Sequence, residues 1–220
     1  MATILMTLAE KKAPSKYEWL INFLTLGRRE KIFKYIKQNY LQENQILLDA
    51  GCGTGRFMEL AETAWVKPII GIDISYTMVR EARMKYLRRN LPISLIQASI
   101  ASLPVKSELF DVIVCTLVLS ELTLQQVRVA LKEFSSCLKN EGVIILVTES
   151  KPKSRLNRLI FGILRAPAFF IAALIAKIPT HPIHDVKSLL DTFPGEILEH
   201  KIYLGGNLTL ITFKKEKQKN

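Results

Sequence analysis

Apolar residues recur along this chain at two different periods. Between residues 17 and 38 they fall at helical spacing, with Trp19, Leu20, Phe23 and Leu24 followed by Ile32, Phe33 and Ile36. That spacing predicts one or two amphipathic helices behind a loose arm at 1–14. The pattern then changes. Short apolar runs at 45–49, 68–73, 93–97, 110–115 and 143–148 read as strands, and the stretches 56–63, 78–89 and 124–138 between them read as helices. Strand–helix–strand alternation of this kind builds a parallel sheet covered by helices on both faces. Two further strand runs, 196–203 and 208–213, are joined by Gly205-Gly206-Asn207, a hairpin signal that makes the last strand antiparallel. The expected fold is an α/β, Rossmann-like sheet of seven strands, mostly parallel. With no internal repeat and no linker, residues 1–220 read as one domain. It has a helical cap at 1–44 and an apolar helical insertion at 153–184.

Charge changes this picture only at the ends. The formal net charge is +11 over 220 residues. Residues 47–150 carry 11 basic and 11 acidic side chains, whereas 1–46 carry 8 against 4 and 151–220 carry 12 against 5. A neutral centre between positive flanks suits an anionic surface, phospholipid or nucleic acid, and equally suits plain solubility with a basic tail. The cysteines, Cys52, Cys115 and Cys137, form neither a disulfide framework nor a zinc pattern and suit a reducing cytosol. Residues 1–8 have no basic leader and too short an apolar run for a signal peptide.

The chemistry concentrates in Leu47-Leu48-Asp49-Ala50-Gly51-Cys52-Gly53-Thr54-Gly55-Arg56. A buried strand ends in an acid, turns through three alternate glycines and enters a helix. Glycine tolerates positive φ and carries no side chain, so the backbone can lie against a ligand. The dinucleotide fingerprint G-x-G-x-x-G fails because Arg56 stands at its sixth position, and no Gly-Lys-Ser/Thr completes a P-loop.

The run D-x-G-x-G-x-G resembles motif I of the class I S-adenosyl-L-methionine (SAM) dependent methyltransferases. The resemblance implies a loop of Gly51, Cys52, Gly53 and Gly55 around the methionine end of SAM, with Asp49 helping to hold its ammonium group. It also implies that Asp73, at the end of the next strand, holds the ribose hydroxyls and that Ile74 packs on adenine. Where such enzymes often carry an Asp that contacts the adenine amine, this chain has Ser99, so Ser99 and the Ile100 backbone are the expected contacts there. Residues 17–29 are similar to the N-terminal signature of the ubiquinone/menaquinone-biosynthesis C-methyltransferases, Y-D-x-x-N-x-x-L-S-x-G followed by basic residues, here Arg28 and Arg29. Thr148-Glu149-Ser150-Lys151-Pro152 is similar to their E-F-S-K-P, and Gly205-Gly206 loosely to their final Gly-Gly turn. Their G-L-R-N stretch is replaced by Leu117-Val118-Leu119-Ser120-Glu121-Leu122. The acceptor therefore stays open between a quinone-precursor-like molecule and another lipophilic compound such as a lipid.

Glu121 follows the carboxyl end of the fourth strand, where open α/β sheets bind ligands. It either orients the acceptor and takes its proton, or is a helix N-terminal acid favoured by the dipole. Tyr17 either closes over SAM or is a core aromatic. His181 and His184 lack partners at metal spacing, so no metal is expected. The apolar stretch 159–179 contains only 11 consecutive uncharged residues, 166–176, against about 20 for a spanning helix. It reads as a lid over a lipophilic substrate, an interfacial helix with Arg155, Arg158 and Arg165 at headgroups, or a core helix. The expected function is methylation of a small lipophilic acceptor in the cytoplasm, with peripheral contact at the anionic inner membrane face. The alternatives are an RNA methyltransferase using the basic flanks and a non-catalytic SAM-fold partner protein. A nucleic-acid partner is disfavoured by the lack of an Asn-Pro-Pro-Tyr-like motif or RNA-binding module. An intact glycine loop speaks against a non-catalytic role. The oligomeric state is open.

Overall fold

A computed structural model describes residues 18, 21–22, 25–62, 69–89, 93–150, 154 and 195–217. The elements run α1 (Arg28–Tyr40), β1 (Leu47–Ala50), α2 (Arg56–Ala61), β2 (Ile69–Asp73), α3 (Tyr76–Leu87), β3 (Ile93–Gln97), β4 (Phe110–Thr116), a 3₁₀ turn (Leu119–Glu121), α4 (Leu124–Cys137), β5 (Leu138–Glu149), β6 (Gly195–Tyr203) and β7 (Leu208–Lys215). The seven strands form one sheet in the order β3-β2-β1-β4-β5-β7-β6. Pairing is parallel from β3 to β5, and β7 runs antiparallel to both of its neighbours. The expected α/β sheet with a reversed last strand is therefore present. The hairpin does not simply extend the sheet, because β7 inserts beside β5 and leaves β6 at the edge.

Every residue of β1 is buried, and its neighbours β2 and β4 lie on either side. Leu48, Ile113 and Ile144 pack with Val127, Leu131 and Phe134 of α4 on one face of the sheet. On the other face Leu47, Val112 and Val114 pack with α1, α2 and α3 through Ile32, Ile36, Met58 and Tyr86. The apolar positions read from 17–38 are thus core in their second half, where Ile32, Phe33 and Ile36 are buried and Phe33 meets Phe57 edge to face at 5.1 Å. Helix ends follow local capping chemistry. Ser75 accepts from the Met78 N–H, and Thr123 forms a capping box with Gln126.

The helical cap is tied to the sheet edge as well as to α2. Tyr35 and Tyr40 of α1 both donate to the Glu199 carboxylate of β6 at 2.8 Å, and Lys201 pairs with the same carboxylate at 2.6 Å. Tyr17, His181, His184, the 159–179 stretch and nearly all of the 153–184 insertion lie outside the described residues. Among the described residues, no helix is long and apolar enough to cross a membrane.

Candidate cofactor and active site

The site is built at the carboxyl ends of β1, β2 and β4. β1 ends in Asp49 and Ala50, and the chain then turns through Gly51, Gly53 and Gly55 at φ 78°, 53° and 80°. These left-handed values favour glycine, but space matters differently at each position. A Cβ on Gly51 would overlap the Val118 side chain, and one on Gly55 would lie 2.7 Å from the Tyr86 ring. A Cβ on Gly53 would meet nothing within 4 Å. Gly51 and Gly55 are therefore glycine because protein presses on them, whereas Gly53 faces open space.

The loop is held from below by β2. The Ile72 carbonyl accepts from the N–H groups of Gly51 at 2.7 Å and Cys52 at 2.9 Å. The Asp73 carboxylate accepts from the Gly53 N–H at 2.8 Å and the Ser75 N–H at 2.9 Å. Burial raises the Asp73 pKa while these two N–H groups work against it. Asp73 thus braces the glycine loop, a role that its position in sequence did not reveal. Lys85 supports the loop from α3 by donating to the Thr54 carbonyl at 3.1 Å, and Tyr86 donates to the Gly55 carbonyl.

Asp49 is 1% exposed, and neither carboxylate oxygen has a hydrogen-bond partner. Such a group is costly to bury. Burial, and then the charge of Asp73, push its pKa up to about 8. Asp49 lines an open cleft together with Gly51, Cys52, Gly53 and Thr54 of the loop, Glu18, Arg29 and Phe33 of the cap, and Thr116 and Leu117 at the end of β4. Leu117 there takes a left-handed φ of 63°. Cys52 is buried and its thiol is driven well up by that burial, so it is a wall rather than a nucleophile.

SAM fits this cradle on two observations. Its ammonium group would satisfy the partnerless Asp49 carboxylate, and the open space over Gly53 admits a ligand against the backbone. The remaining sequence-derived contacts lie along the next strand ends. Ile74 follows β2 half-exposed, as a platform for a flat base needs to be. Ser99 follows β3, which pairs with β2, and the Ala98 N–H donates to the Asp73 carbonyl at 3.0 Å. The Ser99 hydroxyl accepts from the Ala101 N–H at 3.2 Å, and the Ile100 side chain is core.

Glu121 closes the 3₁₀ turn after β4. The cap of α4 is made by Thr123 and Gln126, so Glu121 is not needed to cap that helix. Burial, then the carboxylates of Asp73 and Glu149, push its pKa up to about 8. Glu121 lies two residues before the Thr123 cap, at the amino end of α4. Among the described residues, no cluster of His, Cys, Asp and Glu can hold a metal ion. The sequence reading missed Arg29, Thr54 and Val118, whose parts depend on contacts with distant segments.

Residues 48–146 match a methyltransferase-domain family. Fold, glycine loop and that match liken this part of the chain to the class I SAM-dependent methyltransferases, whose cofactor is SAM. The chain is 32% identical over 161 residues to a ubiquinone/menaquinone biosynthesis C-methyltransferase of Syntrophotalea carbinolica, covering 72% of this chain and 65% of that one. It spans between 40% and 65% of the curated relatives it matches. A putative S-adenosyl-L-methionine-dependent methyltransferase of Methanococcus maripaludis superposes with a TM-score of 0.67 at 19% identity, over 95% of this chain and 94% of that chain. Geranyl diphosphate C-methyltransferase of Streptomyces coelicolor, solved with Mg²⁺, geranyl diphosphate and S-adenosyl-L-homocysteine, superposes with a TM-score of 0.64 at 12% identity, over 84% and 77%.

The two outer glycines and the middle one should fail differently. Gly53→Val projects into open space, so the fold should survive at the cost of a β-branched residue at positive φ. S-adenosylhomocysteine (SAH) binding, followed by calorimetry, should be lost. Gly51→Ala should instead lower the melting temperature through its overlap with Val118. A Gly53→Val protein that binds SAH normally would remove the loop from the cofactor site.

Proposed function

We propose that this protein transfers the methyl group of SAM to a small lipophilic acceptor held beside Glu121. The observation that carries the reading is the placement of Glu121. Its partly buried carboxyl, raised to about 8, closes the 3₁₀ turn after β4 and feels the charges of Asp73 and Glu149. SAM supplies an electrophilic methyl group on its sulfonium. The chain's part is to orient the acceptor, exclude water and receive a proton. A carboxyl whose pKa lies near neutral is matched to that last task. Two likenesses support a lipophilic acceptor, the quinone-biosynthesis C-methyltransferase and geranyl diphosphate C-methyltransferase. Peripheral contact with an anionic membrane, carried by the basic flanks and the 159–179 stretch, belongs to the same proposal as the way such an acceptor is reached.

Purified protein incubated with methyl-labelled SAM and a lipid and metabolite extract should place label in the organic-solvent fraction. Asp49→Asn should place far less there. Label appearing only in RNA, or only in protein, would overturn the lipophilic acceptor.

A further inference from the structure

The geometry points to Arg29 as the group that receives the α-carboxylate of the cofactor's methionine end, in exchange for Glu18. The inference rests on the SAM reading and adds a residue of the helical cap to it. In an α-amino acid the ammonium nitrogen and carboxylate carbon sit on one carbon, each about 1.5 Å from it. If Asp49 takes the ammonium, the carboxylate has to be met within the same cleft. Two guanidinium groups line that cleft, Arg29 and Arg56.

Arg56 is committed elsewhere. Its Nε and Nη2 donate to Glu30 at 2.9 and 3.1 Å, and its Nη1 donates to Glu59 at 3.0 Å. Arg29 is different. It is 8% exposed and stacks over Phe33, and its buried Nε has no hydrogen-bond partner. A buried guanidinium N–H without an acceptor is costly, and this one belongs to a side chain in the wall of a ligand cleft.

Arg29 does have a carboxylate, and that carboxylate sits where a ligand's would. Glu18 accepts from Arg29 Nη2 at 2.6 Å through Oε2, and through Oε1 it bonds Thr54 Oγ1 in the glycine loop. Glu30 is the other acid near Arg29 Nη2, at 3.8 Å. One carboxylate thus bridges the guanidinium and the loop hydroxyl, the two donors suited to an amino-acid carboxylate beside Asp49. A second carboxylate brought into the cleft would face Glu18 at short range with one guanidinium between them. Like charges at that range repel, so Glu18 yields its donors as the ligand enters. Glu18 is an internal competitor, and Arg29 is a binding residue.

The test compares two probes, SAH and its decarboxylated counterpart, on four proteins. They are wild type, Glu18→Gln, Arg29→Met and the double variant. The double variant removes both charges of the pair, so its folding does not depend on an uncompensated buried guanidinium. Wild type should prefer SAH by about 10- to 150-fold, the worth of a charge-assisted hydrogen bond. Arg29→Met and the double variant should lose that preference and bind the decarboxylated probe as wild type does. Glu18→Gln should bind SAH several-fold more tightly and leave the decarboxylated probe unchanged. A preference for SAH that survives in the double variant, or no tightening in Glu18→Gln, would overturn the inference while leaving the SAM reading in place. Binding of neither probe by wild type would remove the SAM reading itself.

Discussion

Replacing Asp49 by asparagine should raise the melting temperature and weaken cofactor binding together. The two effects have one cause. Asp49 holds a carboxylate with both oxygens buried and unpartnered. Its pKa is raised from the ordinary 3.8 to about 8 by burial and then by Asp73. For an acid shifted upward, the folded protein retains a proton that the unfolded chain has released. Stability therefore falls as pH rises from about 4 to about 8, and the full cost is present above that window. At about 1.4 kcal/mol per pH unit the penalty is on the order of several kcal/mol. Asparagine carries no charge to bury, so its advantage in melting temperature should widen from pH 5 to pH 8.5. Binding shows the opposite side of the same group. An ammonium pairs only with the ionised carboxylate, so binding of SAH near pH 7 should release a proton. Affinity should then increase between pH 6 and 8, and calorimetric heats should depend on the buffer. In Asp49→Asn the affinity should fall by at least about 10-fold and lose its pH dependence. A variant that is no more stable and binds as well as wild type would take Asp49 out of the site.

The contrast between Asp49 and Arg29 shows what a sequence can carry. Asp49, Gly51, Gly53 and Gly55 are contiguous, and their spacing alone described a strand, a turn and a helix start. Strand positions were legible for the same local reason. β1, β2 and β4 are short apolar runs between turns, and they sit where the runs were read. Boundaries moved where pairing decides. β5 starts at Leu138 because that residue pairs with Phe110, with Glu141 at a left-handed φ of 61° between there and the regular register from Val143. The hairpin was visible in Gly205-Gly206-Asn207, but nothing local says that its second strand lies next to β5. Arg29 stood in a quoted signature and still carried no assigned role. Its meaning depends on Glu18 and on a loop about 25 residues further along. Val118 is a similar case, since the need for glycine at position 51 arises partly from a side chain more than 60 residues away. The loop-bracing part of Asp73 was hidden because bracing through backbone N–H groups leaves no residue pattern.

Glu121→Gln should lower turnover by about 100-fold or more and leave SAH affinity within about twofold. General-base assistance is worth roughly 10²–10⁴ in rate, and glutamine keeps the shape of the side chain while removing its basicity. The pKa of about 8 fixes how the rate should depend on pH. Only ionised Glu121 can take a proton, so kcat should climb as pH rises from 6 to 8 and level off above. The variant should show a low, flat profile over the same range. Stability supplies an independent reading. Burial and the nearby Asp73 and Glu149 carboxylates make the ionised form costly, so wild type loses stability as pH rises from about 4.5 to about 8. Glu121→Gln escapes that loss and should melt no lower than wild type at pH 8. A drop in rate therefore cannot be laid to unfolding. Turnover with the true acceptor that is unchanged, or that keeps the wild-type pH profile, would leave Glu121 as a partly buried acid after β4 and put the proton's destination on another group.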